Sequence, residues 1–124
     1  TDGLTRGFEL GLNNGSPVVN VFPSTANNTL TFTNGLANNV WQFVAFTYDG
    51  VNLRGYSNGV FTGVSDGVAN GASDTDQPLM IGRLPGATPK PFHGKIASVE
   101  IYNKALSNNE IQVLFNKDRS RYGV

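Results

Sequence analysis

Few side chains in this sequence are suited to catalysis. Cysteine is absent, and His93 is the single histidine among 124 residues. No G-x-S-x-G motif accompanies this histidine, so a nucleophilic triad would lack an activated nucleophile. We therefore predict that His93 is structural and that the protein is not an enzyme.

Three aspartates in one polar stretch form a candidate metal site. Residues 65–77 (SDGVANGASDTDQ) show neither helical nor strand periodicity, which predicts a long loop carrying Asp66, Asp74 and Asp76. Carboxylate oxygens are ligands that Ca²⁺ prefers, so this loop is a candidate calcium site. The aspartate spacing matches no fixed calcium loop, and a solvated polar loop is the alternative. Beyond Ca²⁺ we expect no cofactor.

A second candidate site lies on a predicted strand. Asn52, Arg54 and Tyr56 alternate along the chain, so a period of two would place them on one sheet face. Such a trio could stack on a sugar ring and hydrogen-bond to it, and an ordinary wet sheet face is the alternative. Trp41 is also a residue type that stacks on sugars, but it lies in an apolar run and is predicted to pack in the core.

The elements that position these residues fit one small domain. A chain of this length can hide about two-thirds of its unfolded surface, which is enough for one core, and we predict a single domain over residues 1–124. Nine acidic and nine basic residues cancel, so no long-range field favours nucleic acid as a partner. No apolar run approaches the roughly 20 residues of a membrane span, so we expect no membrane insertion.

Strand periodicity recurs along most of the chain, between turns rich in Gly and Asn. Residues 40–48 (VWQFVAFTY) are apolar on both faces and are predicted to form the central, doubly covered strand. Asn58-Gly59 is the strongest hairpin signal, because this pair readily adopts the positive φ angles of a type I′ turn. The predicted strands are residues 8–12, 17–22, 29–33, 40–48, 53–56, 60–64, 79–84 and 94–102.

One helix is predicted near the end of the chain. Ser107 and Glu110 have the spacing of a capping box, in which each side chain bonds the other residue's backbone N–H. Ile111, Leu114 and Phe115 follow at helical spacing. Together with the strands, this pattern predicts an all-β protein, antiparallel, with one short C-terminal helix.

Five stretches, in order, resemble the laminin G-like domains of the concanavalin A-like lectin/glucanase superfamily. The resemblance covers residues 41–115, whereas residues 1–40 match only in pattern. The stretches are residues 41–50 (W-x-x-V-A-x-T-Y-D-G), 53–59 (L-x-x-Y-x-N-G), 78–83 (P-L-x-I-G), 92–103 (F-x-G-x-I-x-x-V-x-I-Y-N) and 105–111 (A-L-S-x-x-E-I).

The resemblance implies a fold of two antiparallel sheets packed as a jelly-roll sandwich. Family members usually begin with further strands that pair beside the C-terminal strand, and this chain starts too late for them. We therefore expect it to be an N-terminally incomplete part of a larger protein. An unpaired edge invites another strand, so either the chain is truncated or a neighbouring chain donates the missing strand, giving a homo-oligomer or filament.

The resemblance also implies a non-catalytic module, located outside the cell, at the cell surface or on a virion. The first functional hypothesis is carbohydrate binding or adhesion, with a glycan as the partner. The alternative is a structural subunit of a phage virion, tail fibre or extracellular filament, with neighbouring protein subunits as partners. Glucanases of the superfamily share a closely spaced acidic trio, and the three glutamates here, Glu9, Glu100 and Glu110, lack that spacing. Glycoside hydrolysis is therefore disfavoured.

Overall fold

A computed structural model describes residues 7–22, 28–65, 78–83 and 90–124. Within these ranges the chain forms six strands followed by one helix. The elements are β1 (Phe8–Asn13), β2 (Ser16–Val21), β3 (Asn28–Thr31), β4 (Val44–Tyr48), β5 (Leu53–Ser57), β6 (Val60–Ser65) and α1 (Asn108–Tyr122). No helix in the described ranges is long and apolar enough to cross a bilayer.

The first sheet is an antiparallel meander in the order β1-β2-β3. Asn14 and Gly15 both have positive φ angles, 50° and 80°, which form the tight turn between β1 and β2. Val19 and Val21 lie on one face of β2 by the period of two, and both are fully buried. This face of the first sheet therefore points into the core.

The second sheet is also antiparallel and has the order β4-β5-β6. Asn58 and Gly59 have positive φ angles of 50° and 77°, so the predicted Asn-Gly hairpin is confirmed. A register shift between β5 and β6 falls next to Gly55 and Tyr56. Among the described residues β4 pairs with β5 alone, which makes it an edge strand.

The core lies between the two sheets. Its buried cluster is Val19, Val21, Leu30, Phe32 and Leu53. Phe32 packs directly on the backbone of Gly55, where an added Cβ would come within 2.5 Å of the ring. Glycine is therefore required at this position by close approach, and the two sheets are packed face to face.

Helix α1 begins with the predicted capping box. The Ser107 hydroxyl accepts from the Glu110 backbone N–H at 3.2 Å, and the Glu110 carboxylate accepts from the Ser107 N–H at 2.8 Å. Ile111 and Phe115 are buried, and the Phe115 ring lies 5.9 Å from that of Phe43. Tyr56, which alternates with the inward-facing Gly55, contacts α1, so the helix covers the face of the second sheet that points away from the first.

The predicted class, antiparallel β with one C-terminal helix, is confirmed, while the jelly-roll connectivity and the single-domain boundary stay predictions. Three strand predictions were wrong in part or whole. Residues 40–48 form a strand only from Val44, and that strand lies at an edge of the described sheet. Residues 79–83 hold one isolated bridge, and residues 94–102 form no strand. Residues 79–83 and 94–102 form no sheet ladder because no described strand lies beside them, and a strand needs a neighbour with which to hydrogen-bond.

Candidate interaction surface

Two segments rich in strand-forming residues lie on the outside of the molecule. We call residues 78–83 and 90–103 the apolar arm. Seven large apolar or aromatic side chains of the arm are between 42% and 61% exposed. They are Leu79, Ile81, Phe92, Ile96, Val99, Ile101 and Tyr102. Exposed large apolar side chains grouped in one part of a protein mark an interaction site more often than scattered ones do.

The two halves of the arm are joined by backbone contacts. Arg83 and Pro91 form an antiparallel bridge, and the Phe92 N–H donates to the Gly82 carbonyl at 2.7 Å. Gly82 has a φ of 82°, a value that disfavours side chains, so a glycine suits this turn of the chain. The two stretches of the arm are therefore joined at this point.

Polar residues of the arm are partly satisfied within it. The Tyr102 hydroxyl donates to the Glu100 carboxylate, and this bond raises the pKa of Tyr102. Lys104, just past the arm, donates to Glu110 of the capping box at 2.8 Å. His93 lies exposed within the arm. The apolar side chains of the arm, by contrast, remain exposed to solvent.

A second uncovered patch lies on β1. Phe8, Leu10 and Leu12 share one strand face, and all three are between 43% and 46% exposed. Their partners on β2 are buried, since Leu10 pairs with Val19, a core residue. The Phe8 ring reaches Phe46 of β4 at 5.7 Å. The core face of β1 is therefore only partly covered beside β4, and we call Phe8, Leu10 and Leu12 the overhang.

The predicted sugar-stacking trio does not form an accessible platform. Tyr56 is 1% exposed, and its hydroxyl donates to Asn108 Oδ1 of α1 at 2.7 Å. The period of two predicted the correct face, but the helix covers that face, so the Tyr56 ring is unavailable for stacking. The expectation of an exposed Tyr56 is wrong for this reason.

The other two members of the trio belong to a turn around Asp49. Its carboxylate accepts from Arg54 Nη1 at 2.7 Å, from Asn52 Nδ2 at 3.2 Å, and from two backbone N–H groups. The Arg54 guanidinium, aided by these donors, holds the pKa of Asp49 well below its usual value. Asn52 and Arg54 thus have a structural role in the turn, whatever they bind.

Of the predicted calcium ligands, Asp66, Asp74 and Asp76 lie outside the described residues. Within the described ranges, no three acidic, histidine or cysteine side chains come close enough to hold a metal ion. The aspartate loop therefore stays a prediction.

Sequence reasoning missed a shallow cleft at the end of α1. It encloses about 70 Å³, well below the roughly 300 Å³ and more of small-molecule pockets. Trp41 is 37% exposed rather than buried, its ring lies 5.4 Å from that of Tyr122, and the Arg119 guanidinium lies over Phe115. The lining residues are Trp41, Gln42, Phe43, Phe115, Arg119, Tyr122 and Val124. The single Trp was the available signal, but its apolar neighbours favoured burial.

A sequence model of the laminin G-like family, described as the concanavalin A-like lectin/glucanases superfamily, matches residues 1–112. The chain belongs to this family. Among solved structures, this laminin G-like domain is similar to an S-layer domain-containing protein (residues 221–444) from Clostridium thermocellum. The TM-score is 0.55 at 21% identity, over 93% of this chain and 65% of that one, so the chain spans about two-thirds of that structure. No curated protein matches significantly.

The glutamates of this laminin G-like domain occupy separate elements. Glu9 is on β1, Glu100 is in the arm, and Glu110 caps α1. The pKa of Glu110 is lowered by its bonds with Lys104 and the Ser107 N–H, which keep it ionised in a structural role. That the domain is not an enzyme stays a prediction.

Proposed function

We propose that this domain is a non-catalytic surface module whose role is assembly through protein-protein contacts made by the apolar arm. The single observation that carries the proposal is the exposure of seven large apolar side chains within the apolar arm. Burial of apolar side chains is the main driving force of protein association, and a bound partner would bury these seven.

The amount of exposed surface supports a protein partner. The seven side chains are 42–61% exposed, and a standard protein interface, in which each partner buries roughly 800 Å², is large enough to cover side chains of this number and size. A sugar ring would cover only a small part of them. The arm also offers a backbone that a second chain can extend as a sheet, which is a common mode of recognition between proteins.

The proposed location is outside the cell, at a cell surface or on a virion. The family is lectin-like, and the similar structure from Clostridium thermocellum is named as an S-layer domain-containing protein. The neutral net charge and the absence of cysteine are compatible with such a place and do not select among these surfaces.

A protection experiment tests the proposal. Lys95 lies in the middle of the exposed arm, so trypsin should cut there readily in the isolated domain. In the native assembly that contains the full protein, the same bond should be protected, because a partner covers it. Lys117 lies within α1, whose hydrogen-bonded backbone resists cleavage, so it is the control and should be cut equally slowly in both samples. Rapid cleavage at Lys95 in the native assembly would overturn the proposal.

Carbohydrate binding is the second candidate, and the exposed Trp41 favours it. Its indole lies beside Tyr122, with the Arg119 guanidinium near, and such side chains stack on sugars and bond their hydroxyls. A glycan array discriminates the two functions. A lectin should bind specific glycans, and Trp41→Ala should abolish this binding while Phe61→Ala preserves it. The assembly role predicts that no glycan on the array is bound. Phe61 is a matched control because it is an exposed aromatic residue on β6.

A further inference from the structure

We propose that the partner of the apolar arm is a second copy of this chain, in which the arm adds a strand beside β4 and covers the overhang of Phe8, Leu10 and Leu12. This inference rests on the proposed function and names its partner. It joins two uncovered surfaces that a single molecule displays at once, the arm as donor and the overhang as acceptor.

The donor half has the pattern of a strand that lacks a neighbour. Ala97, Val99 and Ile101 alternate with Ser98 and Glu100, so an extended arm presents three apolar side chains on one face. Val and Ile are strong strand formers, and their intrinsic preference is realised only when a ladder forms. Residues 94–103 form no strand in this molecule and are exposed throughout.

The acceptor half is the outer edge of β4. Within the described residues, β4 is the last strand of the second sheet, and its outer edge has no strand partner. The overhang belongs to the opposite sheet, and its Phe8 ring lies 5.7 Å from that of Phe46 on β4. A strand added beside β4 would lie directly under β1, at the roughly 10 Å spacing of packed sheets.

The two halves are complementary in number and spacing. The overhang has apolar side chains at positions 8, 10 and 12, and the donor face has them at 97, 99 and 101, so both rows repeat every two residues. Sheet spacing places successive members of each row roughly 7 Å apart, and the rows can interdigitate along their length.

A second copy is the favoured occupant because the described residues contain both a donor and an acceptor. Exchange between copies covers both surfaces with one interaction, and the zero net charge of the chain gives no long-range repulsion between copies. The exchange closes as a reciprocal dimer or continues as a filament, depending on the rotation between copies.

Sedimentation velocity across a range of protein concentrations tests the inference. The wild type should form dimers or larger species. Val99→Lys, in the donor, and Leu10→Lys, in the acceptor, should each be monomeric, because a lysine cannot be buried unpaired between the sheets. Val113→Lys is the control, since Val113 is 66% exposed on α1 and belongs to neither surface, and it should assemble like the wild type.

Mixing the variants distinguishes exchange from a general loss of folding. Val99→Lys retains an intact acceptor and Leu10→Lys retains an intact donor, so an equimolar mixture should form a dimer containing one of each and nothing larger. Circular dichroism confirms that each variant is folded. If Leu10→Lys fails to fold, Leu12→Lys replaces it, because Leu12 belongs to the same exposed row.

The outcomes separate this inference from the proposed function. A wild type that stays monomeric at all concentrations, or a mixture that does not complement, would overturn the second copy as the partner. Protection of Lys95 in the native assembly would then still support the assembly role, with a different protein on the arm. If the chain also shows no protection of Lys95 in the native assembly, both proposals are wrong.

Discussion

Leu53 of β5 and Ile101 of the arm are similar aliphatic residues with opposite surroundings. Leu53 is fully buried between the sheets, whereas Ile101 is one of the most exposed apolar residues of the arm. In the body, formed by β1–β6 and α1, each of the six strands pairs with at least one other, whereas no described strand pairs with the arm. An apolar composition therefore allows a segment to be buried, and pairing with a neighbouring strand decides whether burial occurs.

The largest expected loss of stability comes from removing an aromatic ring in the core, and a substitution in the arm is its comparison. Phe32→Ala should destabilise the domain by about 3–5 kcal/mol, because it removes a buried ring and leaves a cavity. Ile101→Ala should change the stability of the monomer by less than about 0.5 kcal/mol, as surface substitutions usually do. Urea denaturation of dilute protein measures both. Equal losses for the two variants would mean that the arm is part of the core.

A second test uses the close approach of the two sheets. Gly55→Ala should lower stability by about 1–3 kcal/mol, because the new Cβ would lie 2.5 Å from the Phe32 ring. Gly11→Ala on β1 is the matched control, since its Cβ would meet only the Glu9 carboxylate at an ordinary 3.6 Å. Thermal melting compares the pair. A neutral Gly55→Ala would show that the sheets are farther apart than described.

Loss of the helix cap should have an intermediate effect. Ser107→Ala removes the acceptor for the Glu110 N–H and should lower the stability of the body by about 1 kcal/mol. Ser120→Ala, within the same helix and exposed, should be close to neutral. Denaturation midpoints of the two variants measure the difference. If Ser120→Ala is the more damaging change, the capping box does not stabilise α1.

The smallest expected effect is a dependence on pH at the Asp49 turn. The pKa of Asp49 is held below its usual 3.8, first by Arg54 and then by backbone donors. A depressed pKa in the folded state gives stability that is present above pH 3.8 and is lost as pH falls below it. The difference in melting temperature between wild type and Asp49→Asn should therefore shrink as pH falls through that range. A difference that grows in acid would contradict the described turn.

Elements built from local signals could be predicted from the sequence. The β1–β2 and β5–β6 hairpins follow from alternating apolar residues around an Asn-Gly pair, and α1 follows from Ser107 and Glu110 three residues apart. Each signal lies within a few residues of the structure that it determines. Turn chemistry and capping therefore sufficed for these parts of the fold.

Features that depend on distant residues could not be predicted. The period of two placed Tyr56 on the correct face, but its cover comes from Asn108, which is 52 residues later in the chain. Residues 94–102 have the composition of a strand, but their pairing requires a neighbour that the pattern does not specify. Trp41 was expected in the core because its neighbours are apolar, yet the strand begins only at Val44.

Amide hydrogen exchange of the arm tests the central claim most directly. In dilute isolated protein, residues 94–103 should exchange quickly while β5 stays protected. At concentrations where copies associate, the arm should become protected and β5 should be unchanged. Slow exchange of residues 94–103 in the dilute monomer would contradict the account, because it would show that the arm is already paired within its own chain.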